Sequence, residues 1–139
     1  MIRPINVGET LEYVLKDDKE SPTIWILAVL DSIVKSRITD LSTVYKFNPE
    51  APKDSIAETR MDIAEQELQH VRFGLKGFKN FNKTDGAAIP FKTVETVLGN
   101  TKYTIVSDET IKFIPKSALS ELASKISEEN ELSGEEEKN

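Results

Sequence analysis

His70 is the one histidine of the chain, and cysteine is absent altogether. These two facts narrow the available chemistry at once. Without thiols there can be no disulfide, no thiolate zinc site and no cysteine nucleophile. A single imidazole can act as a base or as one metal ligand, but a transition-metal site needs several nitrogen or sulfur donors. His70 falls mid-helix beside Val71 with Glu67 one turn earlier, so a packed or surface helical histidine is the plainer reading. Serines are plentiful, yet no Gly-x-Ser-x-Gly elbow occurs among them. Acid–base chemistry would have to come from carboxylates such as Asp62 and Glu65 converging in a cleft, which sequence does not reveal. The chain therefore reads as a non-enzyme with no cofactor and no metal.

Two glycine-containing segments invite a ligand reading and are better explained without one. Asn80, Asn82, Thr84, Asp85 and Gly86 supply oxygens loosely like a calcium loop, but the glycine is out of register and no glutamate closes the loop. Asp85-Gly86 is a turn signal. In Phe73-Gly74-Leu75-Lys76-Gly77-Phe78 the glycines close a helix, whereas a phosphate cradle needs them to open one. Close helix packing followed by a C-terminal cap is the expectation there.

The same segment carries a basic and aromatic cluster in an acidic protein. Arg72, Phe73, Lys76, Phe78 and Lys79 could pack, could anchor a protein contact, or could stack on single-stranded nucleic acid. Packing ranks first, a protein contact second and nucleic acid third; the candidate protein contact is Arg72, Phe73, Lys76, Phe78 and Phe81. Trp25, the sole tryptophan, is by default a core residue, with an interface anchor as its functional alternative.

The elements that would position these residues follow from periodicity and punctuation. Glu12–Leu15 and Thr23–Leu27 have strand composition and flank a polar loop closed by Pro22, which suggests a hairpin with its second strand inside the fold. Val34, Ile38, Leu41 and Tyr45 share a helix face, with Asp31 or Ser32 as N-cap and Asn48-Pro49 as the end. Ser55-Ile56-Ala57-Glu58 matches a capping box opening a second helix. Its stripe is Ala57, Met61, Ala64, Leu68, Val71 and Leu75, and Gly77 is its expected stop. Ile89-Pro90-Phe91 reads as extended. Thr93–Leu98 and Lys102–Val106 flank Gly99-Asn100 as a hairpin. Ser107 caps a short helix over 108–113 that Pro115 ends, and a last helix presents Leu119, Leu122 and Ile126 on one side.

At 139 residues and 38% apolar content the chain suits one core. The expectation is a single α+β domain over residues 1–127, with a small antiparallel sheet or hairpins and three to four helices. Residues 128–139 are expected to form an acidic, flexible tail, since six glutamates follow Ser127. A net charge of -6 repels the phosphates of duplex nucleic acid and an anionic membrane surface. The apolar run Ile24–Leu30 is far short of the roughly 20 residues of a membrane span. Met1-Ile2-Arg3-Pro4 does not read as a signal peptide.

In the order of its segments the chain resembles a group of small proteins encoded among the structural genes of tailed bacteriophages. The likeness lies in Tyr13-Val14-Leu15-Lys16-Asp17-Asp18 followed by Pro22-Thr23-Ile24-Trp25, in the stretch from Val71 to Phe81, in Ser107-Asp108-Glu109, and in the closing Leu132–Asn139. It covers nearly the whole chain. The resemblance implies virion morphogenesis, and specifically a tail assembly chaperone that coats the tape-measure protein in the host cytoplasm while tail-tube subunits assemble. Partners would then be those phage structural proteins, or further copies of the chain itself. Glu137-Lys138-Asn139 can be encoded by GAA-AAA-AAC, which contains the slippery heptamer used for frameshifting in such genes. A head–tail connector, head-completion or minor capsid protein is the first alternative, and a small host-directed binding protein the second. The resemblance carries no catalytic motif and so no site residues.

Overall fold

A computed structural model of the protein describes residues 1–2, 4–46 and 58–136, without the side chains of 45–46, 58–60 and 130–136. The fold is α+β. In chain order the elements are β1 (Thr10–Tyr13), β2 (Ile24–Ala28), α1 (Ser32–Ser42), β3 (Thr43–Lys46), β4 (Glu58–Met61), α2 (Ile63–Gly74), β5 (Leu75–Lys79), β6 (Thr93–Leu98), β7 (Thr101–Val106), α3 (Asp108–Ile111) and α4 (Lys116–Glu136). Among the described residues three antiparallel sheets form: β1-β2-β5, the ribbon β3-β4 and the ribbon β6-β7.

β2 is central in its sheet, as its apolar residues on both faces require. Trp25 pairs with Tyr13 on one side and Phe78 on the other, and Leu27 with Leu11 and Leu75. Because alternate side chains share a face, these residues line the core side, where Trp25, Leu27 and Leu75 are each 1% exposed. The loop before β2 is fastened by Asp18, whose Oδ2 accepts from the Thr23 amide, and by Asn80, whose side-chain amide donates to the Ser21 carbonyl.

α2 is the hub of the molecule, packing against α1, α4, β5 and β7. Val71 is fully buried, as are Leu122 and Ile126 of α4. Gly74 makes the α2–α4 approach possible, because a Cβ there would lie 2.7 Å from Ile126 Cδ1. Ser120 Oγ adds a 2.6 Å donation to Glu67 across the same junction. The close-packing role expected of the glycine pair thus falls to Gly74.

Several element boundaries differ from the periodicity. α1 is capped by Asp31 as expected, Oδ1 accepting from the Val34 amide at 2.8 Å, but it ends at Ser42 and leaves Tyr45 in β3. Thr43-Val44-Tyr45 is β-branched and aromatic. The Ser42 and Thr43 hydroxyls bond back to the carbonyls of Ile38 and Thr39 and close the last turn. The second helix begins at Ile63, where the Asp62 carboxylate accepts from the Glu65 amide. Glu58 and Met61, expected in that helix, belong to β4 and pair with Lys46 and Thr43. The capping-box positions 55–57 and the loop from Asn48 to Lys53 lie outside the described residues. The helix stops at Gly74 rather than Gly77, which sits inside β5 opposite Ile26. β-ladder pairing with the buried β2 overrides the helical stripe at Leu75.

The β6–β7 hairpin forms at its expected place. Gly99 has φ +62° while Asn100 does not enter the left-handed region, which matches a type II′ turn with glycine first. α4 continues past Ser127 to Glu136, and Lys125 still pairs with Glu128 and Glu129. Among the described residues no helix is long and apolar enough to cross a membrane.

Candidate protein-contact surface

The basic and aromatic residues of the α2–β5 segment divide between core and surface. Phe73 is 5% exposed and meets Tyr103 edge to face at 6.2 Å. Phe78 and Phe81 are partly buried and belong to a ring cluster. Trp25 lies 5.7 Å from Phe78 and 5.0 Å from Phe81, while Phe78 lies 5.1 Å from Phe81 and 5.3 Å from Phe91. Three of these four pairs meet edge to face, as aromatic quadrupoles favour, and Trp25–Phe81 is tilted. Their rings contribute to packing, the role ranked first for them. The Trp25 indole nitrogen is buried without a hydrogen-bond partner among the described residues.

The two cations tie this segment to its neighbours. Arg72 donates to Asp108 Oδ1 at 2.8 Å, and this pairing with a well-exposed carboxylate is worth no more than about 1 kcal/mol. The β2–β5 register skips Lys76 between Leu75 and Gly77. At that irregularity Lys76 Nζ donates to the Thr104 carbonyl of β7 at 3.1 Å. Partial burial of the amine lowers its pKa from the usual lysine value, although the residue as a whole is exposed.

His70 Nδ1 lies 2.8 Å from the Gln66 carbonyl one turn back. Since a carbonyl only accepts, that nitrogen carries the proton in this contact. Asp62 caps α2, and Glu65 accepts from the Gln69 side-chain amide at 2.7 Å. The residues of the calcium-like loop serve a turn: the Gly86 amide donates to the Lys83 carbonyl and Asp85 Oδ1 accepts from the Ala87 amide. Gly86 takes φ +90°, a conformation that glycine adopts freely. Among the described residues no group of three or more His, Asp or Glu is placed to hold a metal ion.

A groove opens on a different surface. α1 buries Val34, Ile38 and Ser42, and its flank bearing Ile33, Ser36, Arg37 and Asp40 faces the turn end of the β6–β7 hairpin. Between them runs a groove of about 630 Å3, completed by Val97, Leu98, Gly99, Asn100 and Thr101. Ile33 is 52% exposed and Val97 57%. The junction is held at one end by Asp31, which caps α1 and also accepts from Tyr103 Oη of β7 at 2.8 Å. Burial, then the hydrogen bond and charge of Asp31, raise the Tyr103 pKa. A smaller hollow of about 420 Å3 opens near the other end of the hairpin, lined by Arg72, Val94, Ile105 and Ser107 among others.

No protein-family model, no curated protein and no solved structure matches the chain.

The sequence held a signal for this groove that the candidate set did not use. Val94 and Val97 stand three apart in a strand, so they must point to opposite faces and one of them must be left outside. Ile33 likewise stands beside the Val34–Ile38 stripe rather than on it.

Proposed function

We propose that the protein is a non-enzymatic bacteriophage morphogenesis protein. It acts as a tail assembly chaperone, binding tape-measure and tail-tube proteins in the host cytoplasm. The observation that carries the binding half of this reading is the groove between α1 and the β6–β7 hairpin, where Ile33 and Val97 stay more than half exposed on either side of a ready-made cleft. Apolar side chains flanking a concave surface with charged residues at its rim have the anatomy of a protein-binding site. The phage half rests on the sequence resemblance. A net charge of -6 adds long-range attraction for a basic partner and repulsion between free copies.

Co-expression with the tape-measure and tail-tube proteins of the same gene cluster tests the reading. The expected result is a complex with either protein that survives gel filtration, together with absence of the chain from purified virions by mass spectrometry. Presence in virions at a ring-like stoichiometry would reassign it as a connector or capsid component. Intact virion assembly after deletion of the gene would favour a host-directed role.

A further inference from the structure

The geometry points to the outer edge of β6 as a docking strip for an extended basic segment of a partner protein, with the adjoining groove receiving one of its apolar side chains. β6 pairs with β7 alone among the described residues. β7 is the inner strand of this ribbon, packed on α2 and β5 and bonded by Lys76. Leu98 and Thr101 flank a two-residue turn and so exchange both main-chain hydrogen bonds, and the pattern alternates from there. The N–H and C=O groups of Thr93, Glu95 and Val97 are therefore directed away from β7. No hydrogen bond joins them to another element among the described residues. Six residues give a strip about 20 Å long. An added strand satisfies such groups in regular order, and side-chain pockets beside it supply selectivity.

Charge decides the occupant. Glu95 stands mid-strip with no salt-bridge partner among the described residues. Antiparallel pairing of two copies centred there would set one Glu95 directly against the other, and like charges in that position are destabilising. A charge in the middle of an edge strand guards against such self-pairing. The same carboxylate attracts a lysine or arginine on an incoming strand. The groove rim carries both signs, Arg37 and Asp40, and Lys102 on the inner strand shares the Glu95 face one pair along; Glu95 is the charge on the edge strand itself and sets the preference there. Val97 belongs to both strip and groove, its main chain on the edge and the residue among those that line the groove with Ile33. Glu95 and Val97 share one face of the strand, while Thr96 and Leu98 share the other with Tyr103, whose hydroxyl reaches the α1 cap, so an added strand alternates between the Glu95 face and the α1 side. The partner segment is thus an extended strand of alternating apolar and basic residues.

This rests on the binding function proposed above and names its surface. The test is titration of a capped octapeptide of alternating valine and lysine into isotope-labelled full-length protein at low salt, followed by NMR. Amide shifts are expected along β6 and at Ile33. Binding should weaken about tenfold or more for a peptide of equal charge with proline at two central valines, since proline cannot complete the ladder. It should weaken about fivefold or more for the Glu95→Lys protein. Equal binding of the proline peptide, or shifts confined to the C-terminal glutamates, would reduce the contact to charge attraction and overturn the proposal. Absence of any shift in β6 would overturn it as well. A concentration-dependent dimer that shifts β6 without peptide would give the edge to a second copy, again against the proposal. Co-purification of a phage partner alongside a silent β6 would leave the binding function standing and remove this surface from it.

Discussion

Gly74 and Ile126 meet where α2 crosses α4, and the space between them has no room for a methyl group: a Cβ on residue 74 would sit 2.7 Å from Cδ1 and 2.9 Å from Cγ2 of the isoleucine. Ile126 is fully buried, so it cannot swing into solvent. Gly74→Ala is therefore expected to destabilise by about 1–3 kcal/mol despite alanine's better helix propensity. Ile126→Val in the same chain should restore part of the loss. Urea denaturation of the two single variants and the double variant measures the coupling; strict additivity would show that the helices slide apart freely.

Leu122 and Leu68 face the same core from α4 and α2 but differ in burial, 0% for Leu122 against partial cover for Leu68. Leu122→Ala should cost about 2–5 kcal/mol. Leu68→Ala should cost distinctly less, because part of that side chain is already wet. Equal losses in thermal or chemical denaturation would contradict this ordering.

Asp31 and Asp62 are both helix N-caps, yet among the described residues only the Asp31 carboxylate has a second partner, the Tyr103 hydroxyl. Asp62→Ala should cost about 1 kcal/mol. Asp31→Ala should exceed that, since it also strands a part-buried phenol. Tyr103→Phe in the Asp31→Ala background should then be nearly silent, which a thermodynamic cycle can read.

Tyr13 donates to Glu121 at 2.6 Å, and Glu121 also accepts from the Lys16 amide at 3.0 Å, fastening the loop after β1 to α4. Burial, then that hydrogen bond, then the charges of Glu121 and Glu128, raise the tyrosine pKa from 10.0 to about 12. The folded state thus holds its proton more tightly than the unfolded chain. The stability this group contributes is whole below pH 10 and fades as pH rises toward 12. Tyr13→Phe should cost about 1 kcal/mol at neutral pH, a charge-assisted bond discounted for partial exposure. It should also flatten the alkaline fall in denaturation midpoint between those two pH values. A variant with the wild-type pH profile would place the alkaline transition elsewhere.

Local chemistry wrote much of this architecture into the chain. The Asp31 cap, the Gly99-Asn100 hairpin, the buried central strand around Trp25 and the Leu122–Ile126 face each depend on neighbours within a few residues. What sequence missed depends on distant pairing. Tyr45 and Met61 fit a helical period and are instead held in β3 and β4 by one another's strands. Leu75 continues the α2 stripe but joins β2 across the sheet. The phenylalanines of the candidate contact set pack around Trp25 and against Tyr103 because the end of α2, β5 and the segment just after it place them there, something composition alone could not distinguish from an exposed anchor. The groove escaped notice for the opposite reason. Its walls come from α1 and a hairpin more than fifty positions later, and only their juxtaposition makes Ile33 and Val97 a pair.

Trp25 also gives the molecule an optical reporter of its own. The chain's one indole is walled in by phenyl rings, in a different sheet from the ribbon that borders the groove. Its fluorescence should be blue-shifted in the native protein and move to the red when solvent reaches the interior. Emission therefore follows melting of the hydrophobic centre and stays steady while a surface strip fills, so folding and occupancy can be recorded in one cuvette by separate probes.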